Sequence, residues 1–390
     1  MEVYILDSLY RRISIVERYE SLTWAERFKD LGDFELIAHS NFESRKLFVP
    51  GVRITHSLTY RVMTVETVED ALDAEGRKLL KVKGRSLEQV LQQRLAMADL
   101  TDLETDAKWS ILGEPKDIAE QLFHDICVTG ILDSGDIISG ILEGSSLFPA
   151  DTIDAPSDVI LYEFEPKSLY EAEKTLCDAY NMGFRMVRDP SSNLLYFDIY
   201  MGVDRTTAQT TIAAVVFSPD LDNLHSTTEL TSTALYKNVA YVVSPVGHEV
   251  VYEDGVDPSI AGFDRRVLYV KADDITDPDG PTASAQMIQR GKEQLALNRQ
   301  FRALDGELDI SSDYVYGTDY NLGDLVELRN DDGLMSYMQV TEQIFVSDRE
   351  GKRSYPTLTT YLFITPGSWD EQGPEVHWDD VDPGVHWDDL

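Results

Sequence analysis

Few residues in this chain stand at the spacings that catalysis needs. The stretch "HEVVYE" beginning at His248 opens like the helix of a zinc protease. That motif requires a second His one helical turn on, so that both imidazoles face one metal, and Tyr252 stands there instead. His248 is therefore expected in a loop or strand. No GxxxxGK(S/T) phosphate cradle and no GxSxG nucleophile elbow occurs. The acidic stretches "DDITDPDG" and "RNDDG" read as Asp/Gly turns, because aligning Gly280 or Gly333 with the EF-hand glycine puts Ile275 or Leu328 at the first ligand position. With 70 acidic residues, carboxylate pairs at hydrolase-like separations arise by chance and name no site. No catalytic residue, metal ligand set or cofactor is nominated, and the chain is not expected to be an enzyme.

The chemistry that does stand out is recognition. "PEVHWDDVDPGVHWDDL" states one phrase twice: Val376, His377, Trp378 and Asp379 return as Val385, His386, Trp387 and Asp388. In an extended segment Val376 and Trp378 point the same way, as do Val385 and Trp387, and "VDPGV" turns the chain between them. Each copy offers an aromatic face with an acidic edge, which suits a linear docking peptide: an exposed Trp is a common anchor, and an extended strand can complete another sheet. A metal held by His377 and His386 loses on spacing.

Composition narrows the rest. At 390 residues two or three folded units are expected, and 43% hydrophobic with 10% aromatic residues fits a globular chain. The formal net charge of -36 opposes any surface that must hold a phosphate backbone, which excludes nucleic-acid binding as the main task. Cys127 and Cys177 are the only cysteines, so no disulfide framework is indicated and buried thiols are expected. No leader peptide and no membrane span is expected from the pattern.

The elements that must position these residues are strands at both ends and a mixed middle. From Glu2 to about Gly84 the chain alternates as strands do, and "SLEQVLQQRLAM" then predicts a helix with Ser86 as N-cap and Leu87, Val90, Leu91 and Leu95 on one face. "EPKDIAEQLFHDICVTGIL" predicts a second helix with Pro115 in its first turn and Gly130 as its stop. "SLYEAEKTLCDAYNMG" carries a Ser168–Glu171 capping box, with Gly183 as terminator. "FRMVRDPSSNLLYFDIYMG" predicts a hairpin, and a long helix starts after Pro281, weakened locally by Gly291. The last folded stretch is again β, with turns at "NDDG" and "REGK".

The opening "YRRISIVERYESLTWAERFKDLGDFEL", with Gly32-Asp33-Phe34-Glu35-Leu36, resembles the N-terminus of the siphophage tail hub family, the Gp37-like minor tail proteins. "YNLGDLVEL", with Gly323-Asp324, and the β-ribbon after it resemble that family's closing domain, and "ASAQMIQRGKEQLALNRQ" before "LDGEL" fits between them.

The resemblance implies a β-rich α+β fold: two similar β-barrel, tube-like domains with inserted mixed α/β peripheral parts. The first barrel would span 1–100, the peripheral region 101–300, the second barrel 301–366 and an acidic tail 367–390. It further implies a structural tail-tip protein of the virion, assembled in the host cytoplasm. Its homotrimeric ring would extend the tail tube, adapt six-fold to three-fold symmetry and bound the channel through which DNA leaves. The implied partners are the distal tail protein ring, the tape measure protein and receptor-binding or central fibre proteins. Gly32, Asp33, Phe34, Gly323 and Asp324 carry over as structural residues. A carbohydrate-binding or cell-wall-degrading tail component is the alternative.

Overall fold

The computed structural model describes residues 1–361 except 73–75, 100–107, 222, 224, 274, 277–280, 299–300, 310–313 and 330–334. The first β region contributes strands β1 (Val3–Leu6), β2 (Arg12–Val16), β3 (Ser21–Arg27), β4 (Asp33–His39), β5 (Arg53–His56), β6 (Met63–Leu72) and β7 (Lys78–Ser86), with a short helix α1 (Phe42–Leu47) between β4 and β5. Alternation decides their faces: in β4 Phe34, Leu36 and Ala38 are buried while Asp33 and His39 are exposed. Those side chains join Trp24, Ile54, Val82 and, from the far end of the sequence, Phe345 in one apolar core.

The middle holds β8 (Leu95–Ala96), β9 (Trp109–Gly113), helix α2 (Pro115–Phe123), β10 (Ile141–Glu143), β11 (Ile160–Phe164), β12 (Lys167–Ser168), helix α3 (Leu169–Tyr180), β13 (Gly183–Arg188) and β14 (Leu195–Tyr200). The expected hairpin is there, with Gly183 opposite Tyr200 and Arg188 opposite Leu195. The capping box of α3 forms as expected: Ser168 Oγ accepts from the Glu171 N–H, and Glu171 returns the contact to the Ser168 backbone N–H. Its terminator is not Gly183. Asn181 takes the left-handed cap at φ 55°, which leaves Gly183 to open β13. Helix α2 widens after Phe123 into a π turn over His124–Thr129 and stops at Gly130.

The helix expected from Ser86 is a 3-10 segment, Leu87–Gln93, followed directly by β8, which pairs with β12. Ser86 does not cap it, because its Oγ accepts the Gly32 N–H at 3.0 Å. Glu88 and Gln89 are buried there, which a solvent-facing helix would not allow.

The last part holds β15 (Val216–Phe217), β16 (His225–Ser232), β17 (Val239–Ser244), β18 (Gly247–Tyr252), β19 (Val267–Lys271), helix α4 (Pro281–Ala296), β20 (Phe301–Asp309), β21 (Leu325–Arg329), β22 (Met335–Asp348) and β23 (Gly351–Thr360). His248 is a strand residue in β18, as expected. The "REGK" turn joins β22 to β23, and the "NDDG" turn lies outside the described residues between the paired β21 and β22. Gly291 is more than a weak point in α4: a Cβ there would come within 2.5 Å of Val251 Cγ2, so the glycine lets α4 lie close against β18.

Thirteen strands share one sheet, ordered β16-β20-β23-β22-β3-β4-β7-β6-β5-β1-β2, with β21 also on β22 and β15 on β21. The first and last β regions are therefore continuous through the antiparallel β3–β22 pair, in which Trp24 faces Phe345 and Arg27 faces Glu342. Among the described residues the sheet does not close into a barrel; it ends on β16 at one side and β2 at the other. The sheet β18-β17-β19 with α4 is inserted between β16 and β20.

Candidate functional site: the junction around Phe28

The described residues hold no cluster of three or more His, Cys, Asp or Glu side chains able to grip a metal. Both thiols are buried in the core of α2 and α3. Burial pushes Cys127 up to about 12 and Cys177 upward too, so neither supplies a thiolate near neutral pH. What the fold does gather, at the seam between its first and last β regions, is the two Leu-Gly-Asp motifs, Leu31-Gly32-Asp33 and Leu322-Gly323-Asp324.

The seam starts at the end of β3. Arg27 reaches three partners: Asp33 at 2.5 Å, Glu342 at 2.7 Å and the Leu31 carbonyl at 2.6 Å. Asp33 thus serves at the exposed start of β4. Phe34 next to it is buried with its ring centroid 5.8 Å from that of Trp24. Gly32 is required by space, since a Cβ would lie 2.5 Å from the Ala25 carbonyl oxygen.

One residue past β3, Phe28 is fully buried. Its N–H donates to the Thr341 carbonyl at 2.9 Å, and its carbonyl accepts from the Phe184 N–H at 3.2 Å. One backbone thus touches β22 and β13. The ring of Phe28 packs edge-on to Tyr200, 5.2 Å between centroids, and covers two glycines, Gly183 and Gly323. Gly323 has φ +90° and donates its N–H to the Val340 carbonyl at 2.8 Å.

Asp324, 1% exposed, accepts from the Arg205 Nε at 2.6 Å, the Val203 N–H at 2.9 Å and the Asn321 N–H at 3.0 Å. Burial pushes its carboxyl up, and Arg205 and the two N–H groups pull against that shift. Gly202, at φ +105°, lets this segment pass within reach of the Gly323 carbonyl. The second Gly-Asp motif is therefore a clamp on residues 202–205.

A buried polar network sits alongside. Glu26 accepts from Trp24 Nε1 and from the Tyr316 hydroxyl, each at 3.0 Å, and from the Thr59 hydroxyl; burial raises its carboxyl, with Arg61 opposing. Arg61 pairs with Glu88, whose Oε1 also accepts the Met186 N–H at 2.7 Å. Arg185 pairs with Asp198 at 2.9 Å and lies over the rings of Phe148 and Tyr200, 3.6 and 4.0 Å from their centroids. A cleft of about 30 Å³ between these groups has room for a water or two. Such an arrangement can fix three chain segments rigidly.

All five carried-over residues, Gly32, Asp33, Phe34, Gly323 and Asp324, fall on this seam. The doubled phrase, Val376, His377, Trp378, Asp379, Val385, His386, Trp387 and Asp388, lies outside the described residues. Sequence reasoning missed Phe28, Arg61, Glu88 and Arg205. Their partners are too distant along the chain for any spacing rule; only the apolar Phe28 after the charged Arg27 at a strand end hinted at a buried turn.

Comparison with solved structures places this fold beside a tail protein from Neisseria meningitidis MC58 (TM-score 0.56, 13% identity, covering 92% of this chain and 96% of that one). It is similar also to the 43 kDa tail protein of prophage MuSo2 from Shewanella oneidensis (TM-score 0.55, 14% identity, 92% and 98%). Comparison with curated proteins gives no match. A family model, that of the Siphovirus ReqiPepy6 Gp37-like protein, matches residues 2–358, which takes in both Gly-Asp motifs and the whole seam between them. The chain belongs to the Siphovirus ReqiPepy6 Gp37-like protein family.

Proposed function

We propose that the protein is a structural component of the phage tail tip: a hub of three copies that form a ring, extend the tail tube, adapt six-fold to three-fold symmetry and bound the exit channel for DNA. The carrying observation is the sheet that passes without a break from the first β region to the last and, among the described residues, ends on two edge strands, β16 and β2. An open sheet whose two ends differ invites head-to-tail contact between copies, and such heterologous contact closes into a ring when the rotation permits. Edge β2 is apolar: Ile13 and Ile15 are exposed, and so is Leu9 before it.

Two further facts support this reading. The first and last β regions each begin a sheet strand from a Gly-Asp turn, β4 after Gly32 and β21 after Gly323, in keeping with two related tube modules per copy. The net charge of -36 per copy is tripled in a ring, and a wall of that sign lets DNA pass without holding it. In this assembly the distal tail protein ring, the tape measure protein and receptor-binding or central fibre proteins are the neighbours, and the doubled acidic phrase is the docking peptide that holds one of them.

Imaging of the isolated tail tip tests the proposal. The expected result is a three-fold ring with β2 of one copy against the β16 side of the next. A single copy off the tail axis, or a ring whose lumen maps as basic, overturns it.

A further inference from the structure

Among the described residues helix α4 covers one face of the sheet β18-β17-β19, and on the other face, next to the buried Val239, a set of side chains is left exposed. Ala240, Val242, Val251 and Val270 pack against α4 through Met287 and Leu295. The register sets the other face: Tyr241 stands opposite Val250 on β18 and Tyr269 on β19, and Tyr269 is 64% exposed. Val243 and Val267 extend this exposed face, and Phe263, two residues before Arg265 in sequence, is fully exposed. Arg265 lies 5.8 and 5.6 Å from the ring centroids of Tyr241 and Tyr252 and donates to the Tyr241 hydroxyl at 3.1 Å. In a chain with twice as many acids as bases, Arg265 has no carboxylate partner among the described residues.

The face thus asks for an aromatic and aliphatic occupant, spaced as in an extended strand, that carries acid. The phrase Val-His-Trp-Asp-Asp has that composition, with Val and Trp two positions apart and carboxylates following. Its point of departure is close. Thr359 of β23 pairs with Ala303 of β20, and Phe301 pairs with Ser232, so β23 ends beside β20, the strand that leads out of the inserted unit, with β16, the strand that leads in, on the far side of β20. From Tyr361 the chain has 17 residues to reach Trp378, about 56 Å when extended at ~3.3 Å per residue. An occupant tethered at that range outcompetes a free one through its effective concentration.

We propose that the doubled phrase seats on the β17–β18–β19 face of its own copy before assembly, Trp378 or Trp387 lying against Val250 and Tyr269 with the following aspartates at Arg265. This rests on the docking-peptide reading of the phrase and adds its resting place: the same peptide that holds a tail neighbour is shielded, along with the apolar face, in the free protein.

A photo-reactive benzophenone residue introduced at 378, and separately at 387, in the full chain tests this. The cross-linking is done in an equal mixture of isotope-labelled and unlabelled copies. Expected are cross-links to residues 239–271 within one copy, with the yield falling at least five-fold in a Val250→Glu, Tyr269→Glu variant that keeps its circular dichroism. Cross-links elsewhere, links only between copies, no links, or a yield indifferent to the face variant each overturn the proposal. Failure here leaves the docking reading to be judged apart, by whether Trp378→Ala with Trp387→Ala still binds its tail partners.

Discussion

The ring of Phe28 and the bare backbone of Gly323 fit together: a Cβ on Gly323 would stand 2.7 Å from Phe28 Cε2. Gly183, on β13, meets the same ring from another side, where a Cβ would be 2.1 Å away. Three stretches of chain far apart in sequence thus converge on one aromatic side chain, and two glycines make the convergence possible.

Replacing Gly323 by Ala adds a clash and forces a β-carbon onto a backbone at φ +90°. Gly323→Ala is expected to destabilise the protein by about 2–4 kcal/mol, from ~1–3 for the disfavoured backbone plus the steric cost. The check is the urea midpoint, with Gly317→Ala as control: its φ is +84° but nothing lies near its Cβ, so it should lose less.

Asp324 is the second test of the clamp. Asp324→Asn leaves Arg205 buried without its counter-charge, a change that costs about 3–5 kcal/mol. Proteolysis near residues 202–205 should speed up accordingly. Digestion at the wild-type rate would show that the pair does not pin this segment.

His56 makes the first β region acid-sensitive. It is fully buried between the rings of Trp24 and Phe345, at 4.8 and 4.9 Å, its Nδ1 accepts the Leu58 N–H, and its Nε2 has no hydrogen-bond partner among the described residues. Burial, aided by the nearby N-terminal charge, pushes its pKa down to about 3 from an ordinary 6.5. Stability from this group is complete above pH 6.5 and is lost as pH falls toward 3, by about 3 kcal/mol at pH 4.5. His56→Asn keeps an acceptor for Leu58 and removes the titration. Its urea midpoint should therefore fall less between pH 7 and 4.5 than that of the wild type.

Glu173 does the reverse. It lies in the α2–α3 core with both carboxylate oxygens unpartnered, and burial, with Glu120 adding repulsion, raises its pKa well above the ordinary 4.5. The folded state keeps the proton, so this group's contribution is complete below about pH 4.5 and declines as pH rises toward the folded value. Glu173→Met should raise stability at pH 8 by about 1–3 kcal/mol, the usual cost of an unsatisfied buried polar group, and less at pH 4.5. Equal gains at both pH values would rule out this explanation.

The doubled phrase is tested in assembly. Trp378→Ala with Trp387→Ala should leave the folded circular dichroism intact and lower recovery of tail partners in a pull-down at least ten-fold, as expected when two anchoring aromatics are removed. Undiminished recovery would leave the phrase without a binding role.

Local signals were legible in the sequence wherever a few neighbouring residues decide the outcome. The Ser168–Glu171 box, the hairpin from Gly183 to Tyr200 and the Gly130 stop all follow from side chains within one or two turns. The 3-10 segment after Ser86 was not legible, because what diverts it is distant: Gly32 takes the Ser86 hydroxyl, and Arg61 takes Glu88. The Glu26–Tyr316 contact spans 290 positions, and the β3–β22 pair is longer still; no periodicity encodes such partners. The Gly-Asp motifs were visible as turns, while the packing of Gly323 on Phe28 and the Asp33–Arg27 pair were not.

Because β3 finds one of its two neighbours only in β22, the ribosome must deliver more than three hundred residues before the amino-terminal sheet has its final border. A copy released early would expose a raw strand carrying Trp24, the kind of surface that sticks to other unfinished copies. Completeness of synthesis is thereby checked by hydrogen bonding itself, and truncated products should be lost to precipitation before any virion can incorporate them.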